Sequence, residues 1–404
     1  MRCDAYLLLP SRRVRTLVAL TIVVCLPGCD KLLGIGDPKP GDRPDGAGSG
    51  GDDGPVIDSS PPCVTAAMFG PEQSFSIGAP GTAIAFAQLD RVIGRDLAIA
   101  VGDGVQLMLG DNAGSFAPGT KIPAPAAMQV DRLVIDDFDN DGDSDLVVWD
   151  EAGTGIAEIR QDRTTNPSTY LAPQPLTGPF TGLQAVVAGY LDGAVLVADL
   201  LVKESGAARV YTSSLNTLGT FIPYASTVPG IVGNDTLAAV EDLNGTGNED
   251  AVFVSAAGDV KILFDAPTFG TTKPIASGVR ERWVGIGKLD EDASFDLVVG
   301  NGDGGVIYRG DGAGAFTQVP GTIASVTGPS IQVIDVNKDG KDDLVLANRI
   351  VYQCAPATSG GPGVFSQFDP IEGGAPALFV DINNDGKPDL LRIVGTELRV
   401  RVQQ

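Results

Sequence analysis

The chain has 404 residues, is 43% hydrophobic, carries a formal net charge of −23 and contains no histidine. That apolar share suffices for a packed core, so the chain as a whole is not disordered. The acidity argues against nucleic acid as a partner, because phosphate binding needs clustered Lys and Arg, and the lack of histidine excludes Ser-His triads, Cys-His dyads and His-liganded zinc.

The first 28 residues read as an export signal. Arg12, Arg13 and Arg15 form a basic start, and Leu17 to Leu26 form a short apolar run. Spanning a bilayer takes about 20 apolar residues, so this run fits the h-region of a signal peptide instead. It ends in Leu26-Pro27-Gly28-Cys29, which resembles the lipobox of bacterial lipoproteins. The resemblance implies cleavage before Cys29 and lipidation of its thiol. The alternative is a plain secretory signal with an incidental cysteine. Two or more acyl chains hold a protein stably on a membrane, so a lipid-anchored place in the bacterial cell envelope is expected, on the outer membrane or the cell surface. Residues 29–65 are rich in Gly, Pro, Asp and Ser. Such a segment cannot bury enough surface to offset its ordering entropy and reads as a disordered tether.

From residue 66 to 404 one sentence recurs seven times. The clearest copies are "VIDDFDNDGDSDLVVW" (134–149), "VIDVNKDGKDDLVLAN" (333–348) and "FVDINNDGKPDLLRIV" (379–394). Weaker copies lie at 239–254 and 285–300, and degenerate ones at 85–100 and 186–202. The closing aspartates are Asp96, Asp145, Asp199, Asp250, Asp296, Asp343 and Asp389, spaced 46 to 54 residues apart. Each unit runs as a short apolar stretch, an acidic loop, a β-branched stretch, a third short stretch, then a Gly-rich turn and a strand starting near a Phe. Four short strands per unit at this period predict the blades of an all-β, seven-bladed propeller, each blade a four-stranded antiparallel sheet. The last unit lacks its fourth strand, and "FGPEQSFSIG" (69–78) at the other end supplies one. An N-terminal strand completing the last blade leaves no open sheet edge.

The strong loops follow D-x-[DN]-x-D-G-x-x-D. Oxygen donors at positions 1, 3, 5 and 9 with a backbone carbonyl at position 7 are how an EF-hand-like loop wraps Ca²⁺, and Gly at position 6 permits the turn. The expected ligands are Asp137, Asp139, Asp141, the Asp143 carbonyl and Asp145; Asp335, Asn337, Asp339, the Lys341 carbonyl and Asp343; and Asp381, Asn383, Asp385, the Lys387 carbonyl and Asp389. A weaker fourth set is Asp242, Asn244, Thr246, the Asn248 carbonyl and Asp250. Three to four Ca²⁺ sites are thus expected. Transition metals are disfavoured for want of nitrogen or sulfur donors. In the fifth unit Lys288 takes position 1, and its ammonium is expected to replace the ion among Asp290, Asp292 and Asp296. The first unit offers only Asp90 and Asp96, the third only Asp192 and Asp199, and all three of these loops are expected to be metal-free.

These units resemble FG-GAP/VCBS repeats, the blades of the integrin α-subunit head and of many secreted bacterial proteins. The resemblance covers roughly residues 66–404 and rests on the acidic loop that follows the first strand. It implies a seven-bladed propeller with Ca²⁺ between the first two strands of a blade. The partner stays open, since the fold hosts adhesion domains, lectins and enzyme accessory domains.

Beside Cys29, the exported part would keep Cys63 and Cys354. In an oxidising compartment a bridge between them is expected, against two unpaired thiols. Arg309-Gly310-Asp311 spells RGD, but Leu109-Gly110-Asp111 occupies the same place in the first unit, so the pair belongs to the repeat's turn. Trp149 and Trp283 do not recur and read as core. A binding or adhesion module toward a protein or glycan is therefore expected, without catalysis. The alternatives are a lectin, with recurring aromatic pockets, or a carbohydrate-active lyase or glycosidase, with an unrepeated carboxylate pair.

Overall fold

The computed structural model describes residues 67–404 apart from 91, 93, 152, 154, 163–168, 177–179, 193–196, 214–220, 280–282, 301–303, 325–330, 347–348 and 371–376. The expected signal, Cys29, Cys63 and the tether lie outside the described residues. Those described are strands and turns, with no helix among them.

Seven four-stranded antiparallel blades follow one another. The first comprises Ala83–Ala87, Asp96–Ala100, Gly104–Gly110 and Phe116–Pro123, paired in chain order. Blades 3 to 6 repeat that order, from Leu183–Gly189 through to Val364–Pro370, with a short extra strand, Ile323–Ala324, beside the third strand of blade 5. In blade 7, Ala377–Val380, Asp389–Val394 and Glu397–Arg401 are joined by the N-terminal Gln73–Ser76, which pairs Gln73 with Val400 and Phe75 with Leu398. The ring closes as the repeat predicts. Blade 2 departs from the pattern. Its fourth strand is only Gln174–Pro175, preceded by a short hairpin of Gln161–Asp162 and Thr169–Tyr170.

The second strand of each blade explains the β-branched runs. Asp96–Ala100, Asp145–Trp149, Asp250–Val254 and Asp296–Gly300 are buried along their whole length. Both faces of such a strand meet a neighbouring blade, so its sequence is continuously apolar rather than alternating. Outer strands are largely exposed instead, as Phe116–Pro123 is apart from Phe116 and Ile122. Among the described residues, seven apolar clusters each join two adjacent blades, including blade 7 to blade 1. Trp149 and Trp283 belong to two of them. From blade 1 to blade 6 each first strand touches the next, which makes the first strands the innermost.

Every closing aspartate is a staple. All seven are at most 1% exposed. One carboxylate oxygen accepts the N–H of the residue seven positions earlier, from Leu89 to Ile382, at 2.7–3.2 Å. The other accepts an N–H at the end of the third strand, from Gly110 to Gln403, at 2.7–2.9 Å. This tie persists in the degenerate blades, so the ninth position of the loop is architectural whether or not a metal is bound. Position 2, from Leu89 to Ile382, is apolar and buried in every loop except blade 3, where Leu191 holds that role.

Candidate functional site

The acidic loops join the innermost strand of a blade to its second strand. In blade 2 the Asp141 N–H donates to Asp137 Oδ1 at 3.1 Å and to Asp139 Oδ1 at 3.2 Å, while the Gly142 N–H donates to Asp137 Oδ2 at 3.0 Å. Asn140 and Gly142 adopt φ of 59° and 86°. Blades 6 and 7 repeat this geometry about Asp335 and Asp381, with Lys338 and Gly340, then Asn384 and Gly386, in the same left-handed conformations. Glycine carries that conformation without a Cβ penalty. The spacing thus codes a backbone that turns position-1 and position-3 oxygens inward.

Carboxylate oxygens of Asp137, Asp139 and Asp145 lie within 4.8 Å of one another, a group able to hold a metal ion. No other trio of potential metal-binding side chains among the described residues comes so close. The donor set is all oxygen and suits a hard cation. Burial, then the charges of Asp139, Glu158 and Asp141, push the Asp145 carboxyl up to about 8, so its charged form lacks a counter-charge. In blade 6 Asp339 turns one oxygen to the Lys341 ammonium at 3.0 Å, and Asn337 replaces an acid at position 3. In blade 4, Thr246 Oγ1 and Asn244 Nδ2 both donate to Asp265 Oδ1, at 2.7 and 3.2 Å. Asp265 follows the third strand and is missing from the sequence-derived ligand set.

Blade 5 requires a correction. Lys288 does not replace an ion among the loop's aspartates. Its ammonium lies over the Phe295 ring, 5.6 Å from the centroid. The cation in that loop is Arg309, from the end of the third strand, which pairs with Asp290 and stands 3.8 Å from Asp292. Its planar fork spans two carboxylates, which a lysine's single ammonium does less well. Arg160 holds the equivalent place in blade 2, one residue before the N–H that ties the closing aspartate. There Glu158 holds it at 3.0 Å, and it stands 3.9 Å from Asp139. Aligning the third strands of the repeats would have exposed both arginines.

The RGD residues serve the turn. Besides the Arg309 pairing, the Gly310 N–H donates to Asp296, and Asp311 Oδ1 accepts the N–H of Ala313 and Ala315. Asp111 makes the same turn in blade 1. Cys354 is disulfide-bonded, and the chain's other cysteines lie outside the described residues.

A second acidic group gathers beside the loops of blades 2 and 4. Asp136 and Glu241 end the first strands of blades 2 and 4, where the other blades end in Ala87, Gly189, Gly287, Ile334 and Val380. Glu249 lies against Gly189, whose added Cβ would come within 3.7 Å of it. Burial raises Asp136 to about 7. Burial, and then Glu249, raise Glu241 to about 8. Glu249 rises to about 7 through burial, with Asp242, Asp250 and Asp136 adding to it. Asp136 Oδ1 accepts the Asp137 N–H, while its buried Oδ2 has no hydrogen-bond partner.

An FG-GAP-like repeat family matches residues 95–148 and 288–346, which carry the loops of blades 2, 5 and 6. The matched stretches are FG-GAP-like repeats within a seven-bladed propeller. No curated protein matches its sequence. Among solved structures, this FG-GAP-like propeller is similar to the BP39L lectin of Burkholderia pseudomallei, at 15% identity and TM-score 0.60, covering 81% of this chain and 97% of that one. An Agrocybe aegerita lectin, described in terms of recognising non-reducing terminal N-acetylglucosamine, is 16% identical at TM-score 0.52, with 76% and 82% covered. A streptogramin B lyase is 13% identical at TM-score 0.51, with 84% and 100% covered. At such identities the likeness is one of fold.

Proposed function

We propose that this FG-GAP-like propeller is an exported, lipid-anchored module that holds Ca²⁺ in its acidic loops and binds a protein or glycan without catalysing a reaction. The observation that carries the binding reading is the division of labour among carboxylates. Those of the repeat are tied into the loops, and the groups free to recognise a ligand are those by which the blades differ. Lectins among the fold's neighbours support the same reading. The Asp137, Asp139 and Asp145 group supports metal in blade 2, with the loops at Asp335 and Asp381 as further sites and that at Asp242 as a weaker one. The Ca²⁺ ions would cancel the charge that burial makes costly.

A glycan array and a pull-down with the soluble propeller, each with Ca²⁺ and with chelator, test the reading together. Specific, Ca²⁺-dependent capture is expected, and silence in both would overturn it. Lipidation is tested separately by labelled palmitate, which should mark the wild type and not Cys29→Ala. A Cys63–Cys354 bridge should disappear from a non-reducing peptide map in Cys63→Ser.

One observation favours a second reading. Asp136 and Glu241, acids where the other blades have none, gather with Glu249 from blades 2 and 4, the arrangement a lyase or glycosidase would use for proton transfer. Turnover of a polysaccharide that is lost in Glu249→Gln would establish it.

A further inference from the structure

The seam where the ring closes carries a concentration of positive charge that the acidic repeat does not explain. Arg392 and Arg399 are cross-strand partners in blade 7, and Arg401 pairs with Leu390 one step along the same face. With Gly70, Pro71 and Glu72 of the closing segment, Leu390, Arg392 and Arg401 line a cavity of about 330 Å³. Glu72 is the acid that reaches both Arg392 and Arg399, the latter at 3.2 Å. Glu397 meets the outer edge of Arg399 at 3.4 Å. Arg401 Nε donates to the Gly70 carbonyl at 3.2 Å, and its guanidinium lies over the Phe69 ring.

Three guanidinium groups thus face two carboxylates, one of them peripheral. The shortfall shows in the hydrogen bonds. The Arg392 side chain is 5% exposed, yet its Nη1 has no partner, nor does the buried Nε of Arg399. Leaving a charged donor buried and unpaired costs more than leaving a neutral one. A planar guanidinium fork matches a carboxylate in a bidentate way. The cavity lies at the small end of the range for ligand pockets, which admits one sugar ring rather than a length of peptide. Gly70 and Pro71 keep its wall free of long side chains.

We propose that this seam pocket binds the carboxylate of an acidic sugar unit, such as a uronic acid, with Arg392 and Arg401 as its anchors. The proposal rests on the glycan arm of the binding reading and names the acidic group that arm would recognise. It needs neither Ca²⁺ nor the lipid anchor.

Saturation-transfer NMR with glucuronate, glucose and a short acidic peptide, added separately to the full propeller, tests it. Glucuronate is expected to give signals that inorganic sulfate competes away, with glucose and the peptide silent. Arg401→Gln should weaken glucuronate about tenfold, and Arg399→Gln, which leaves the Arg392–Glu72 pair in place, should weaken it less. Melting curves of both variants confirm that each is folded. Signals from the peptide but not glucuronate would overturn the proposal in favour of a protein ligand. Glucuronate binding indifferent to both substitutions would overturn the site. A glycan array positive only for neutral sugars would overturn this inference and leave the binding-module reading intact.

Discussion

Glu158 sets where Arg160 stands beside the blade 2 loop. Arg160 and Arg309 occupy equivalent positions, and Arg309 has closed on its loop while Arg160 is held back by Glu158. Blade 5 has Ile307 where blade 2 has Glu158, so nothing comparable restrains Arg309. Glu158→Gln should weaken that restraint and let Arg160 turn to Asp139. Calorimetric titration of Ca²⁺ should then show one site weakened about tenfold, since a cation beside the ligands competes directly with the ion. Adding Arg160→Ala should restore it, as expected for coupled neighbours. An unchanged titration would sink this account. The mirror change, Arg309→Ala, leaves Asp290, Asp292 and Asp296 without their cation and should lower stability, because a buried carboxylate then loses its partner. Neither arginine was legible from the loop, which is read locally, whereas these residues come from the strand two places on.

At the scale of the element, the closing strand carries the most weight. Gln73–Ser76 covers the edge of Glu397–Arg401, and the Phe69–Gln403 bridge with the Gly70-to-Val402 bond extends the seam. Removing residues through Ser76 exposes that edge and takes Ala67 and Phe69 from the cluster between blades 6 and 7. Scanning calorimetry should show a fall in Tm on the order of 10 °C, and light scattering should show concentration-dependent association, the fate of an unpaired edge. A truncated chain that melts and stays monomeric like the parent would contradict the seam's role. Most strands of the repeat were readable in sequence, because burial on both faces writes an uninterrupted apolar run. The outer edge of blade 2 was not. Its last strand is only two residues long and contains no Phe.

At the scale of the whole molecule, the ring buries seven carboxylates at equivalent places. Burial raises Asp96 and Asp296 to about 6 and Asp199 to about 7, against 3.8 in the unfolded chain. A raised carboxyl pKa means that the folded state binds protons the unfolded state does not, from about pH 7 down to about pH 4. Stability of the chelated protein should therefore rise as pH falls through 7 and 6, and level off near 4. Melts in chelator should gain on the order of 5 °C between pH 7.5 and 5.5. Stabilisation by added Ca²⁺ should run the other way and be greatest at high pH, because its ligands must be deprotonated. A chelated protein that loses stability over that range would show that hydrogen bonding to these carboxylates outweighs their desolvation.

The repeat period, the four short strands per unit and the split last blade sufficed to determine the propeller and its closure, because strand burial and turn chemistry are local properties that repeat with the chain. The loop spacing likewise determined which oxygens turn inward. Only the tertiary structure decided which loops are already served by a cation of the protein, and that every ninth-position aspartate is a staple. It alone brought Asp136 near Glu249, and Arg392 and Arg399 to Glu72. Those contacts join residues from different blades or from opposite ends of the chain. Their partners are set by the ring's geometry, which no single repeat contains.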